Sequence, residues 1–117
     1  MAYRVDISPS ALQDAEDTYL WIKFNSSNTT AEAWYKGLLE AILSLENFPL
    51  RCSLSPETED LGKEIRQLIF GKRGSQYRIL FAIRHDEMTG EEFIHIYRIR
   101  HIARRRITSD EIREGEM

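Results

Sequence analysis

The chain has 117 residues, 42% of them hydrophobic and 30% charged, with six glycines and three prolines, which suits one domain and excludes collagen-like, low-complexity and wholly disordered classes. The single cysteine, Cys52, cannot close an intramolecular disulfide, no Cys/His spacing resembles a metal site, and the longest apolar run, Ile79 to Ile83, falls far short of the ~20 residues that span a bilayer. The net charge of −3 conceals a division: residues 1–64 hold five basic and eleven acidic side chains, residues 65–108 ten and four, and residues 109–117 one and four, so the basic segment is suited to an acidic partner, nucleic acid or peptide.

Tyr3, Val5 and Ile7 alternate with Arg4 and Asp6, the period of a short strand with one buried face. Ser8-Pro9-Ser10 supplies capping hydroxyls and a helix-compatible proline, and Ser10 with Gln13 fits a capping box. Leu12, Ala15, Tyr19 and Ile22 then recur at helical spacing. Asn25 to Asn28 breaks that helix, and Thr29 with Glu32 offers a second capping box. Trp34, Leu38, Ala41, Leu45 and Phe48 form the stripe of a second, antiparallel helix. The aromatic side chains of Trp21, Trp34 and Tyr35 are expected in core or hairpin packing.

Residues 49–62 are polar, carry Pro56 and lack a period, so they predict a loop crossing the domain. Three β-rich runs follow, Glu64 to Phe70, Gln76 to Arg84 and Phe93 to Arg100, separated by Gly71-Lys72-Arg73-Gly74-Ser75 and by a turn containing Thr89-Gly90. Thr108 to Glu111 is a last capping signature, predicting one helical turn in a frayed acidic tail over residues 108–117. The expectation is a single α+β domain in two layers: an N-terminal strand, an antiparallel helix hairpin, and a three-stranded antiparallel meander completing one sheet.

Arginines dominate the residues able to do chemistry. Arg66 lies in the first strand of the meander, Tyr77-Arg78 in the second, and Arg98, Arg100, His101, Arg104 and Arg105 at the end of the third. Alternation puts Arg78, Leu80, Ala82 and Arg84 on one face and Tyr77, Ile79, Phe81 and Ile83 on the other. Arg78 is thereby expected near Arg98 or Arg100, as a guanidinium patch on the face that the helices leave open, able to hold phosphate or carboxylate bidentately. His101 is the histidine placed to transfer a proton beside such a patch; His85 and His95 are read as structural.

The opening Tyr3-Arg4-Val5-Asp6-Ile7-Ser8-Pro9-Ser10-Ala11, the block from Ile65-Arg66-Gln67-Leu68 to Tyr77-Arg78-Ile79-Leu80-Phe81, and the ending Ile96-Tyr97-Arg98-Ile99-Arg100-His101-Ile102-Ala103-Arg104-Arg105 resemble the RelE/ParE superfamily of type II toxins. The resemblance spans about residues 2–107 and implies a toxin of a toxin–antitoxin, or plasmid stabilisation, system. Such a protein acts in the cytoplasm, is neutralised by a cognate antitoxin in a hetero-oligomer, and uses no cofactor, metal or membrane. It implies two activities: ParE-like inhibition of DNA gyrase, or RelE-like cleavage of messenger RNA on the ribosome. A non-toxic binding module or autoregulatory relic is a third class. For cleavage, Arg78, Arg100 and His101 are the implied catalytic set; Arg66, Arg98, Arg104 and Arg105 are the implied binding residues. Only Arg66 occupies the run Ile65 to Phe70, where some RelE-like members carry paired lysines, and no tyrosine follows His101, both departures from the nuclease pattern; the long helix hairpin and the His101-x-x-Arg104-Arg105 ending look more like the ParE side.

Overall fold

A computed structural model describes residues 2–116. In chain order the elements are β1 (Arg4–Ile7), α1 (Pro9–Asn25), α2 (Asn28–Leu43), two short 3₁₀ turns at Ser44–Glu46 and Pro49–Arg51, α3 (Glu57–Leu61), β2 (Arg66–Lys72), β3 (Ser75–His85), β4 (Glu92–His101) and α4 (Ser109–Glu114). The four strands form one sheet in the order β1-β4-β3-β2, with β1 parallel to β4 and the other pairs antiparallel. This is the expected two-layer α+β arrangement. Residues 49–62, expected as plain loop, fold into the second 3₁₀ turn and α3, and a single bridge joins Leu54 to Arg66.

The two helix starts differ from the expected capping boxes. Pro9 occupies the first helical position, so Ser8, not Ser10, is the N-cap of α1. Its hydroxyl accepts from the Ala11 amide at 3.0 Å and donates to the Tyr97 carbonyl at 2.9 Å. The Ser10 hydroxyl instead donates to the Glu114 carbonyl, 3.0 Å away. In α2 the cap is Ser27, accepting from the Thr30 amide at 3.1 Å, rather than Thr29 with Glu32. In both cases the serine stands just before the first residue with helical backbone, where an oxygen can reach a free amide.

The stripes shift with the caps. Ala11, Ala15 and Ile22 are the buried positions of α1 and Ala31, Leu38 and Ile42 those of α2. Of these, Ala11, Ala15, Leu38 and Ile42 share a core with Ile79, Phe81, Ile94, Ile96 and Ile99 of the sheet. Leu12 is exposed, and Trp21, expected in packing, is 64% exposed. Phe48 also leaves the expected stripe: α2 ends at Leu43, so residue 48 lies beyond the helical period and points outward.

The opposite face of the sheet is not open. Leu80, Ala82 and Tyr97 pack there with Ile65, Ile107 and Ile112 in a second, smaller core roofed by the C-terminal segment. The acidic tail, expected to fray, is docked: Thr108 and Glu111 make the anticipated capping box, Ile112 is buried, and a Cβ on Gly115 would lie 2.5 Å from the Tyr97 carbonyl oxygen. Met117 lies outside the described residues.

A β-bulge organises the junction of these layers. The register between β3 and β4 jumps from Leu80↔Arg98 to Phe81↔Ile96, leaving Tyr97 as the extra residue. There β1 has ended, and the exposed edge of β4 is taken over by Asp14 of α1. Asp14 receives the Ile99 amide at 3.0 Å and the Arg98 guanidinium through two bonds of 2.8 and 2.9 Å. One carboxylate thus closes a strand edge and neutralises a half-buried arginine. Replacing Asp14 by Ala leaves the Ile99 amide and Arg98 unsatisfied together. The expected loss is about 2–4 kcal/mol of unfolding free energy, measured by urea denaturation followed by circular dichroism.

Candidate functional site

The cross-strand register places Arg78 opposite Arg100, as the alternation anticipated, on the face roofed by α3 and α4. Neither guanidinium is free. Arg78 is buried; its Nε donates to the Gln67 Oε1 at 2.9 Å and its Nη2 to Glu57. Glu57, fully buried at the start of α3, also receives the Ile107 amide at 3.0 Å. Burial alone would raise the Glu57 pKa, but the bonds from Arg78 and Ile107 outweigh it and the net displacement is downward. Arg100, 5% exposed, pairs through Nη2 with Glu111 of α4. The expected open guanidinium patch is therefore an internal set of ion pairs, because arginines on a face that becomes covered must take carboxylates with them.

His101 does not join them. It is next to Arg100 in β4 and so projects to the other face, where its ring meets Tyr77 edge-on at 5.1 Å; Tyr77 in turn meets Trp34 of α2 at 5.3 Å. The His101 Nδ1 accepts from the Ala103 amide at 3.0 Å, which leaves Nε2 to carry the ring's outward hydrogen. The three residues expected as one catalytic set thus lie on two faces of a sheet. Among the remaining predicted positions, Arg66 donates to the Cys52 carbonyl at 2.7 Å and Arg98 is bound by Asp14. Arg105 bonds Glu111 at 2.9 Å with its side chain 66% exposed. Arg104 is exposed and makes no ion pair among the described residues.

Three cations without carboxylate partners among the described residues, Lys72, Arg73 and Arg104, lie at one end of the sheet. Lys72 and Arg73 form the tip of the β2–β3 hairpin, Lys72 pairing with Ser75. The Ile102 amide donates to the Gln76 carbonyl at 2.9 Å and the Arg104 amide to the His101 carbonyl at 3.0 Å. Lys72, Arg73, His101 and Arg104 therefore share the edge where β3 begins and β4 ends, and Lys72 and Arg73 make no ion pair among the described residues. Such an end can hold phosphate oxygens or carboxylates without first breaking an internal pair. Sequence reasoning read Lys72 and Arg73 only as turn residues; their charge between two glycines was the signal available. Among the described residues, no group of His, Cys, Asp or Glu side chains is arranged to hold a metal ion, and no helix is long and apolar enough to cross a membrane.

Glu111 carries the clearest pH dependence. Burial raises its pKa, but bonds from Arg100, the Thr108 amide and Arg105 overcome that and bring it from 4.5 to about 2. A carboxyl held below its unfolded value stabilises the fold above that value, and the stabilisation is lost as pH falls from about 4.5 toward 2; the span corresponds to ~3 kcal/mol. Urea midpoints measured across this range should fall with acidification, and Glu111→Gln should flatten the slope while lowering stability at neutral pH.

The family described as "ParE toxin of type II toxin-antitoxin system, parDE" matches residues 5–106, from within β1 to the stretch just past β4. No curated protein matches the chain. The match covers every element that builds the helix layer and the sheet, and the resemblance to the RelE/ParE superfamily rests on the same segments. The chain belongs to the ParE toxin family of type II toxin–antitoxin systems.

Proposed function

We propose that this toxin acts by binding and blocking DNA gyrase in the cytoplasm, through the basic end of its sheet, and that a cognate antitoxin holds it inactive. One observation carries the choice of a binding mechanism over RNA cleavage: the guanidiniums of Arg78 and Arg100 are committed to Glu57 and Glu111 on one face, while His101 lies on the other. Cleavage by a 2′-hydroxyl needs a base, an acid and cations converging on one phosphate. Arginines already neutralised by carboxylates lend little positive potential to that phosphate, and a histidine across the sheet from them cannot share it. Binding a macromolecular target asks less: exposed cations that are free to meet carboxylates or phosphates, and a rigid platform to present them. Lys72, Arg73 and Arg104 meet that description, with Arg105 and the partly buried His101 ring beside them.

A supercoiling assay with purified gyrase tests the target: added protein should abolish supercoiling, while primer extension on messages after induction should show no cuts at ribosomal A-site codons. Cuts with undiminished supercoiling would assign the RelE-like activity instead, and neither effect from folded protein would assign a non-toxic binding module.

Substitutions separate contact from support. Lys72→Ala, Arg73→Ala and Arg104→Ala together should weaken target binding by roughly ten- to a hundredfold and relieve growth arrest. Each should leave stability within ~0.5 kcal/mol, since these side chains touch nothing that folding needs. Arg78→Ala should relieve growth arrest differently, by stranding Glu57 as a buried unpaired carboxylate and costing about 3–5 kcal/mol of stability. Thermal melts recorded beside growth curves distinguish the two.

A further inference from the structure

The end of the molecule opposite the basic one carries a feature that the toxin reading does not use. Phe48 has φ 52° and ψ 51° and is the one non-glycine residue with positive φ among those described. It is also 83% exposed, with Leu50 63% exposed two residues on. A large side chain rarely takes the left-handed region, and here the turn is locked in it: the Arg51 Nη1 donates to the Asn47 carbonyl at 2.8 Å and the Phe48 carbonyl at 3.1 Å, its Nη2 donates to the Ser44 hydroxyl at 2.9 Å, and Pro49 is buried. The chain thus holds an aromatic ring out in water with a strained backbone and a dedicated arginine.

Beside the ring runs a groove of about 1010 Å³. Its floor is the start of β1, Tyr3 and Arg4; the Tyr3 amide donates to the Glu46 carbonyl on one side, and Arg4 pairs with Phe93 on the other. One wall is the turn bearing Phe48, Leu50 and Arg51, and the other is the β3–β4 turn bearing Glu91 and Glu92. Arg51 bonds only neutral oxygens, and Glu91 and Glu92 make no ion pair among the described residues. The groove therefore sets an uncompensated cation against uncompensated anions on its two walls, with its own knob beside its own socket.

We propose that this groove is a two-fold interface for a second copy of the chain. Rotation about a dyad lays the Arg51 wall of one protomer over the Glu91–Glu92 wall of its partner and inserts each Phe48 into the other's groove. A partner of one charge sign would satisfy one wall and leave the other desolvated and unpaired, whereas a second copy satisfies both. Because the β3–β4 turn lies at the far end of those strands from His101 and the β2–β3 hairpin, the dimer leaves both basic ends free.

Sedimentation equilibrium on the full chain, made by cell-free synthesis, tests this independently of toxicity. The mass should move from 13.7 kDa toward twice that value as concentration rises. Phe48→Gly should raise the dimer dissociation constant at least about tenfold while holding or raising the melting temperature, since glycine takes positive φ without strain. Glu91→Lys with Glu92→Lys should weaken the dimer similarly with the fold unchanged. A wild-type protein monomeric throughout, or a dimer whose constant neither variant moves, overturns the proposal. So does a monomer whose Phe48→Gly variant loses only antitoxin or gyrase binding, which would give the groove to another protein.

Discussion

Burying a guanidinium costs several kcal/mol unless a carboxylate goes with it, and closure of the second face of this sheet follows from that constraint. Arg78 and Arg100 are placed side by side on β3 and β4 by the cross-strand register, and the small core of Leu80, Ala82, Tyr97, Ile107 and Ile112 beside them removes that face from water. Each arginine then requires its own acid. Glu57 comes from the segment before β2 and Glu111 from the last helix, so two helices too short to persist alone in water become fixed parts of the roof. Glu57 also receives the Ile107 amide and Glu111 caps α4, so each carboxylate supports backbone as well as charge.

The same device recurs at the bulge, where Asp14 holds Arg98 and the Ile99 amide and ties the helix layer to β4 beyond the end of β1. These pairs redistribute the basic half of the chain. Of the arginines that dominate it, Arg66, Arg78, Arg98 and Arg100 are absorbed by folding, Arg84 stays exposed near the end of β3, and Lys72, Arg73 and Arg104 are left without ion pairs among the described residues, at the β2–β3 hairpin and in the stretch after β4. Under the proposed function this separation has a consequence: substitutions inside the sheet would act through stability, and those at its basic end through the target. Loss of toxicity alone therefore does not mark a contact residue.

Much of the architecture was legible in the residues. Strand alternation in Tyr77 to Ile83 sorted the faces of β3 correctly, the three strands were located to within two residues, and the Thr108–Glu111 capping box was found. Errors arose where a local signal had a close competitor. Ser10 and Gln13 imitate a capping box, yet Pro9 at the first helical position makes Ser8 the cap. Phe48 continues a helical spacing by number alone, after the helix has ended in a 3₁₀ turn. Expectation placed Arg78, Arg100 and His101 together because they are near in strand register, although adjacent residues of one strand must diverge.

By itself the sequence determined the strands, the helix hairpin and the last helical turn, their order, the faces of β3 and the family, because these depend on periods and motifs within short windows. Which cations remain available was decided only by the tertiary structure. Arg78 and Glu57 are 21 residues apart, and Arg98 and Asp14 are 84 apart. No local period encodes such partners; they meet because the helix hairpin and the C-terminal segment close over opposite faces of the sheet, and charge is neutralised where water is excluded.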